Sequence, residues 1–330
     1  MLNKSDIISK ILSEKSRTPH SEKGSVYAPA NIALCKYWGK RNEILNLPMT
    51  SSLSISLQEK GSHFAFEVVD TEDVLHLNEK IISAEDPFYQ NLFSFIGLFR
   101  KSHSPRLHIR IHSTIPIAAG LASSASGFAS VVKGLDALYG WHLEPWELSI
   151  LARLGSGSAC RSIWPGFVEW QKGIREDGMD SFGVPLDLTW PALRIGLLLV
   201  SCEKKNISSR KAMALTQENS PLYRAWPKQV TQDLDAIKIA LANQDFRDLG
   251  EASERNALIM HKTMMAATPS IDYSTPQTHE YVQQIWQLRQ EGLSIYFTQD
   301  AGPNLKLLFL ENTEAEVVQA FPQIEIIQPF

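Results

Sequence analysis

At Pro116 the chain changes period, and that change constrains its fold more than any other feature. Upstream, Leu107, Ile109 and Ile111 alternate with His108, Arg110 and His112, the period of a strand with one covered face. Downstream, Phe128, Val131, Val132, Leu135 and Leu138 follow helical spacing as far as Gly140, a residue suited to the turn that ends a helix. Between them runs Pro116-Ile-Ala-Ala-Gly120-Leu-Ala-Ser-Ser-Ala125-Ser-Gly127, nearly all small. Small side chains let backbone N–H groups approach an anion, and a helix start offers unpaired donors and a favourable dipole. Ser123 and Ser124 add hydroxyls for phosphate or a magnesium ion. No Gly-Lys-Ser/Thr follows, so this is not a Walker loop. Close helix packing would call for the same small residues, and the segment alone does not separate the two.

The remaining pattern is mixed. Leu53, Ile55 and Leu57 alternate with serines, and Phe64, Phe66 and Val68 alternate with Ala65 and Glu67, giving two half-buried strands. The His-Arg-His face of the 107–112 strand reads as solvated, because no acidic or further histidine ligand lies near it in sequence. A helix opens at Glu144-Pro145 and stops at Gly155. Leu193 to Val200 is apolar but for Arg194, the pattern of a central strand covered on both faces. Two helices follow, one on Val230, Leu234, Ile237 and Leu241, the next on Phe246, Leu249, Ala252 and Met260. Strands return at 294–298 and 305–310, with a helix near 313–320 and a last strand at 324–327. Pro185, Trp190 and Pro191 interrupt regular structure, so a domain boundary is expected there. The first fifteen residues carry Ile7, Ile8, Ile11 and Leu12 among charges, a short amphipathic helix and no signal peptide.

Composition narrows the function classes. At 330 residues, with 44% hydrophobic and 21% charged, the chain can build two full cores. A net charge of -4 without a basic block argues against nucleic acid as a partner. No run reaches the roughly 20 apolar residues of a membrane-spanning helix. Cys35, Cys160 and Cys202 are far apart, so reduced thiols in the cytoplasm are expected.

Three further stretches carry chemistry. Gly155-Ser-Gly-Ser158-Ala-Cys160-Arg161-Ser162 joins a backbone-rich anion pocket to an arginine, whose fork suits a carboxylate or phosphate. Asn31-Ile-Ala-Leu-Cys-Lys36-Tyr37-Trp38-Gly39-Lys40-Arg41 packs three cations and two aromatics together, either a ligand site or a solvated basic turn. Phe297-Thr-Gln-Asp300-Ala-Gly-Pro303-Asn304 places an acid at a strand end, where turn chemistry is the ordinary reading.

In order and spacing, APANIALCKYWGKR, PMTSSLSISL, IPIAAGLASSASGF, LGSGSACRS and FTQDAGPN resemble the signature stretches of the mevalonate diphosphate decarboxylase family. The likeness runs from about Val26 to the C-terminus. The Gly120 loop resembles the phosphate loop of the whole GHMP kinase superfamily, whereas KYWGKR, GSGSACRS and DAGPN look specific to the decarboxylase branch.

The resemblance implies a two-domain α+β fold: a 1–25 extension, a ribosomal protein S5 domain 2-like domain over 26–190, and a ferredoxin-like domain over 191–330, with the active site in the cleft between them. It implies ATP and Mg2+ as cofactors and mevalonate 5-diphosphate as the substrate, which is phosphorylated on its 3-hydroxyl and then decarboxylated to isopentenyl diphosphate. Asp300 matches the family's catalytic aspartate, Arg161 the arginine that holds the substrate carboxylate, and Lys36 the lysine beside them. Gly120, Leu121, Ala122, Ser123 and Ser124 match the ATP-phosphate loop, with Ser124 a candidate Mg2+ ligand. Tyr37, Lys40, Ser156, Gly157, Ser158, Arg161, Ser209 and Arg210 match substrate-binding positions. A cytoplasmic homodimer is implied as well. Trp164-Pro165-Gly166 and Asn42 depart from the family's commoner residues, and the extension is longer than a minimal member needs. A monophosphate-specific decarboxylase and a mevalonate 3-kinase-like enzyme stay open as alternatives.

Overall fold

A computed structural model describes all residues except 1, 102–103, 116–122, 202 and 204. Along the chain come α1 (Lys4–Ile11), β1 (Lys23–Cys35), the short pair β2 (Lys40–Asn42) and β3 (Leu47–Pro48), and β4 (Ser52–Val69). Next are β5 (Val74–Leu77), β6 (Lys80–Ile82), α2 (Pro87–Gly97), β7 (Arg106–Ser113), α3 (Ser123–Tyr139) and α4 (Pro145–Gly155). A short 3-10 turn (Gly157–Arg161), β8 (Phe167–Trp170) and β9 (Gly183–Pro185) complete the first half. The second half holds β10 (Leu193–Leu198), α5 (Ser209–Asn219), α6 (Trp226–Asn243), α7 (Phe246–Met265) and α8 (Pro276–Gln290). It ends with β11 (Tyr296–Gln299), β12 (Leu305–Leu310), α9 (Glu314–Ala320) and β13 (Glu325–Ile327).

Among the described residues the first sheet has seven strands, ordered β6-β5-β7-β4-β8-β9, with β1 on the other edge of β4. The two half-buried strands expected around 53–57 and 64–68 are one 18-residue strand. It continues through Gln58, which takes a positive φ of 52°, and its partner β1 shifts register between Pro29 and Asn31. The first half of this strand is not half-buried either. Ser52, Ser54 and Ser56 are as covered as Leu53, Ile55 and Leu57, because the Arg161 turn lies over the serine face.

The second sheet is antiparallel, ordered β11-β12-β10-β13, with helices between β10 and β11 and between β12 and β13. This is the split βαβ arrangement of a ferredoxin-like domain. Leu193–Leu198 lies between β12 and β13 with all six residues buried; its one charge, Arg194, is paired with Glu311 and Glu314. Helix α3 ends at Tyr139, and Gly140 follows at φ +62°, the left-handed turn read from the sequence. Among the described residues no helix is long and apolar enough to cross a membrane.

The two halves share a core. Ile32, Leu34 and Cys35 of β1 pack in one cluster with Leu193, Ile237, Leu249 and Met264 of the second half. The C-terminal end of β1 is therefore buried against both sheets' layers, and that seam is where the cavity opens.

Gly134 of α3 sits so close to Phe64 of β4 that a Cβ would lie 2.3 Å from the ring. Gly134→Val should lower the melting temperature by roughly 2–10 °C, because the overpacking cost of about 1–3 kcal/mol exceeds any helix-propensity gain. A thermal melt unchanged from wild type would show that Phe64 yields without cost.

Candidate active site

The end of β1 sets the first group. Lys36 leaves the strand 2% exposed, its backbone N–H donating to Asn256 Oδ1 at 2.8 Å. Asn256 is itself held by Asp233, to which its Nδ2 donates at 2.9 Å. Lys36 Nζ then donates to the Ala33 carbonyl and to Asp300 Oδ1, both at 2.8 Å. The other oxygen of Asp300 pairs with Lys306 Nζ at 3.0 Å. Burial raises the Asp300 carboxyl pKa, but Lys306 and Lys36 outweigh it and hold the group well below the usual carboxylate range. Behind it, His261 Nε2 lies 3.1 Å from the Asp300 carbonyl. Burial, aided by Lys36, pushes this imidazole down to about 4, so it is neutral at neutral pH.

Arg161, also 2% exposed, stands opposite. Its Nε donates to Ser54 Oγ at 2.9 Å, its Nη1 to Ser52 Oγ at 2.6 Å and its Nη2 to Asn31 Oδ1 at 3.3 Å. Trp170 lies 6.0 Å beneath the guanidinium. Every one of these partners is neutral, and no carboxylate among the described residues bonds to Arg161. A buried cation held only by neutral acceptors is a strong attractor for an anion entering the cavity.

The remaining wall gathers hydroxyls and cations. The turn after α4 brings Ser156 Oγ within 3.3 Å of Ser124 Oγ and 3.5 Å of Ser158 Oγ. Gly157 is required there, since a Cβ would meet the Tyr37 ring at 2.8 Å. The Tyr37 hydroxyl is shielded and has no partner among the described residues, and burial first, then the neighbouring Cys160, raises its pKa. Lys40 is buried, and its ammonium reaches Glu43 at 3.3 Å. Helix α5, capped by Ser208, presents Ser209 and the exposed Arg210, and Lys205 Nζ lies 3.5 Å from Ser209 Oγ. These groups surround one cavity of about 370 Å3, together with Asn31, Lys36, Arg161, Met260 and Asp300.

The structure thus brings together Asp300, Arg161, Lys36, Tyr37, Lys40, Ser124, Ser156, Gly157, Ser158, Ser209 and Arg210. Gly120, Leu121 and Ala122 lie outside the described residues, as does the Ser123 side chain. Sequence reasoning gave no role to Ser52, Ser54, His261 or Lys306. Lys306 left a readable trace as the one charge inside the apolar strand Leu-Lys-Leu-Leu-Phe-Leu. Magnesium fits only as an ion carried with phosphate. Among the described residues no group of three or more acidic, histidine or cysteine side chains could hold a metal, whereas hydroxyls such as Ser124 can complete a phosphate-bound shell.

Two outcomes follow from this geometry. Replacing both Ser52 and Ser54 with alanine should lower kcat/KM roughly tenfold or more, since it strips Arg161 of two of its three positioning acceptors; unchanged kinetics would mean that packing alone fixes the guanidinium. Lys306→Met should move the acid limb of the pH–rate profile to higher pH, because loss of a cation raises the Asp300 pKa towards the ordinary range. A limb that stays in place would show that Asp300 ionisation does not limit the rate.

Residues 28–183 match the family model described as the diphosphomevalonate decarboxylase-like N-terminal domain, and residues 195–328 match the mevalonate 5-diphosphate decarboxylase C-terminal domain. A diphosphomevalonate decarboxylase of Candida albicans is 36% identical over 312 residues, covering 89% of this chain and 86% of that one. The crystal structure of mevalonate diphosphate decarboxylase from Staphylococcus aureus superposes with a TM-score of 0.86 at 32% identity, over 93% of this chain and 95% of that one. A further solved relative, in complex with MVAPP, AMPPCP and magnesium, gives 0.84 at 35% identity, over 92% and 95%.

Proposed function

Since the chain belongs to the diphosphomevalonate decarboxylase family, we propose that Asp300, Arg161 and Lys36 are the groups with which it performs that family's reaction. The enzyme decarboxylates mevalonate 5-diphosphate in an ATP-dependent reaction, with Mg2+ as the metal. ATP phosphorylates the tertiary 3-hydroxyl, phosphate leaves, and the electrons of the departing carboxylate form the alkene of isopentenyl diphosphate. A tertiary hydroxide would leave poorly, whereas phosphate leaves readily, which explains why a decarboxylase is built on a kinase fold. Magnesium carried with the nucleotide would be met on this chain by Ser124 and would offset phosphate charge.

One observation carries the assignment of residues. Asp300 is held between Lys36 and Lys306 in the same cavity as an arginine to which no described carboxylate bonds. In this reading the substrate carboxylate docks on Arg161 and its 3-hydroxyl donates to Asp300. Two lysines beside Asp300 make it a weak base. It therefore acts chiefly by orienting the hydroxyl, and takes the proton only as the bond to phosphorus forms, in keeping with a loose phosphoryl-transfer transition state. Tyr37, Lys40, Ser156, Gly157, Ser158, Ser209 and Arg210 would hold the diphosphate. The 120–124 loop would cradle the ATP phosphates, with Ser124 a ligand for Mg2+.

The division into a 1–25 extension, a 26–190 domain and a 191–330 domain is supported by the separate sheets and by the two matched spans. We carry over the homodimer that the family resemblance implies and the cytoplasmic location expected from the sequence.

Measuring ADP and carbon dioxide together tests the roles. Asp300→Asn should lower kcat at least 100-fold with the KM for mevalonate diphosphate within a few-fold, and both products should fall in step. Near-normal turnover would remove Asp300 from the reaction. ADP release without carbon dioxide from the wild-type enzyme would remove the decarboxylation itself.

A further inference from the structure

Helix α7 holds both partners of the reacting ion pair by their backbones. Asn256 Oδ1 accepts the Lys36 N–H at 2.8 Å. One and a half turns further along the same helix, His261 Nε2 lies 3.1 Å from the Asp300 carbonyl oxygen. Lys36 follows β1 of the first sheet and Asp300 follows β11 of the second, so one helix sets the spacing of groups drawn from both halves. Asn256 and His261 are both buried, and neither contact competes with water.

The chemistry of the second contact fixes the state of the ring. A carbonyl oxygen can only accept, so His261 Nε2 carries the proton and donates it. Nδ1 then bears a lone pair, which is shielded and without a partner among the described residues. A buried acceptor left unpaired destabilises a fold, and a leucine at 261 would carry none. Packing alone therefore does not account for the imidazole. Nor does the Asp300 carbonyl depend on it for a partner, since the Gly302 N–H donates to the same oxygen at 2.7 Å. The Gly302 bond shapes the turn from within, whereas the His261 bond ties that turn to α7.

We propose that His261 is a positioning residue for the decarboxylase reaction, fixing the Asp300 turn against α7 and so aiming the carboxylate at the substrate hydroxyl. The ring stands behind the cavity wall and acts through Asp300, which lines the cavity. The inference rests on the reading of Asp300 as the group that orients the 3-hydroxyl. An aspartate carboxyl is one methylene from its own backbone, so a shift of the turn passes directly to the oxygens. Misplacement by about 1 Å lowers a rate on the order of a hundredfold.

The test uses the full-length enzyme with His261→Leu, His261→Gln, His261→Asn and Asp300→Asn, each checked by thermal melt. A glutamine amide can put its N–H where Nε2 stands, whereas an asparagine amide reaches only the position of Nδ1. His261→Leu should lower kcat roughly ten- to a hundredfold, with the KM values for mevalonate diphosphate and ATP within about threefold. Glutamine should recover most of that loss and asparagine should not. In the Asp300→Asn background, His261→Leu should cost less than about threefold more, because its effect passes through that carboxylate. Should the leucine variant melt far below wild type, the glutamine–asparagine comparison decides by itself. If His261→Leu keeps wild-type kcat while Asp300→Asn loses turnover, the inference is overturned and the reading of Asp300 stands. If Asp300→Asn keeps near-normal turnover, that reading falls and takes His261 with it. Glutamine no better than asparagine, or full additivity in the double variant, would mark disturbed packing and overturn the positioning role.

Discussion

The ion chain Lys36–Asp300–Lys306 is the interaction on which the rest of the site depends. A carboxylate with a side chain only 23% exposed would ordinarily be driven towards its neutral form. Here two ammonium groups at 2.8 and 3.0 Å keep it charged. The arrangement joins the two halves of the molecule, since Lys36 follows the long β1 strand of the first sheet whereas Asp300 and Lys306 flank a turn of the second. Removing either lysine would leave a buried charge poorly compensated, which is costlier than never having built the pair.

Such a chain holds its geometry only if the two halves cannot slide. The shared core around Ile32, Leu34 and Cys35 supplies that rigidity, and the Asn256–Asp233 pair fixes the Lys36 backbone from the other side. Arg161 is positioned by the same logic in a different chemistry. Two serines of one strand and an asparagine of its neighbour take three of its N–H groups and leave the charge itself unneutralised. Neutral acceptors orient a cation without using up its attraction for an anion.

How much of this the sequence discloses depends on whether a residue's role is local. Helix α4, with Pro145 at its start and Gly155 at its end, and the apolar β10 were legible because capping and periodicity act within a few residues. The single long β4 was not, since whether a serine face is solvated depends on what packs over it from 107 residues away. The same limit applies to the acid. Asp300 in Asp-Ala-Gly-Pro reads as turn chemistry, and its environment comes from Lys36, 264 residues earlier. Residue motifs pointed to Arg161 and Lys36, but the serines that orient the arginine and the lysine that doubles the ion pair emerge only in three dimensions.

In the proposed reading the two ends of the cavity divide the work of catalysis. At the reacting end the cations are buried and bound to fixed partners, so they lose little freedom when substrate arrives, and their effect falls on the step in which charge moves. At the far end Arg210 is exposed, so its contacts form on binding and contribute mainly affinity. Binding energy from a non-reacting diphosphate can then hold the carboxylate and the 3-hydroxyl against groups that would not by themselves retain a small hydroxy acid. The depressed pKa of Asp300 fits this division. A stronger base would need fewer lysines around it, and with fewer lysines the site would lose the charge that keeps the carboxylate ionised and aimed at the hydroxyl.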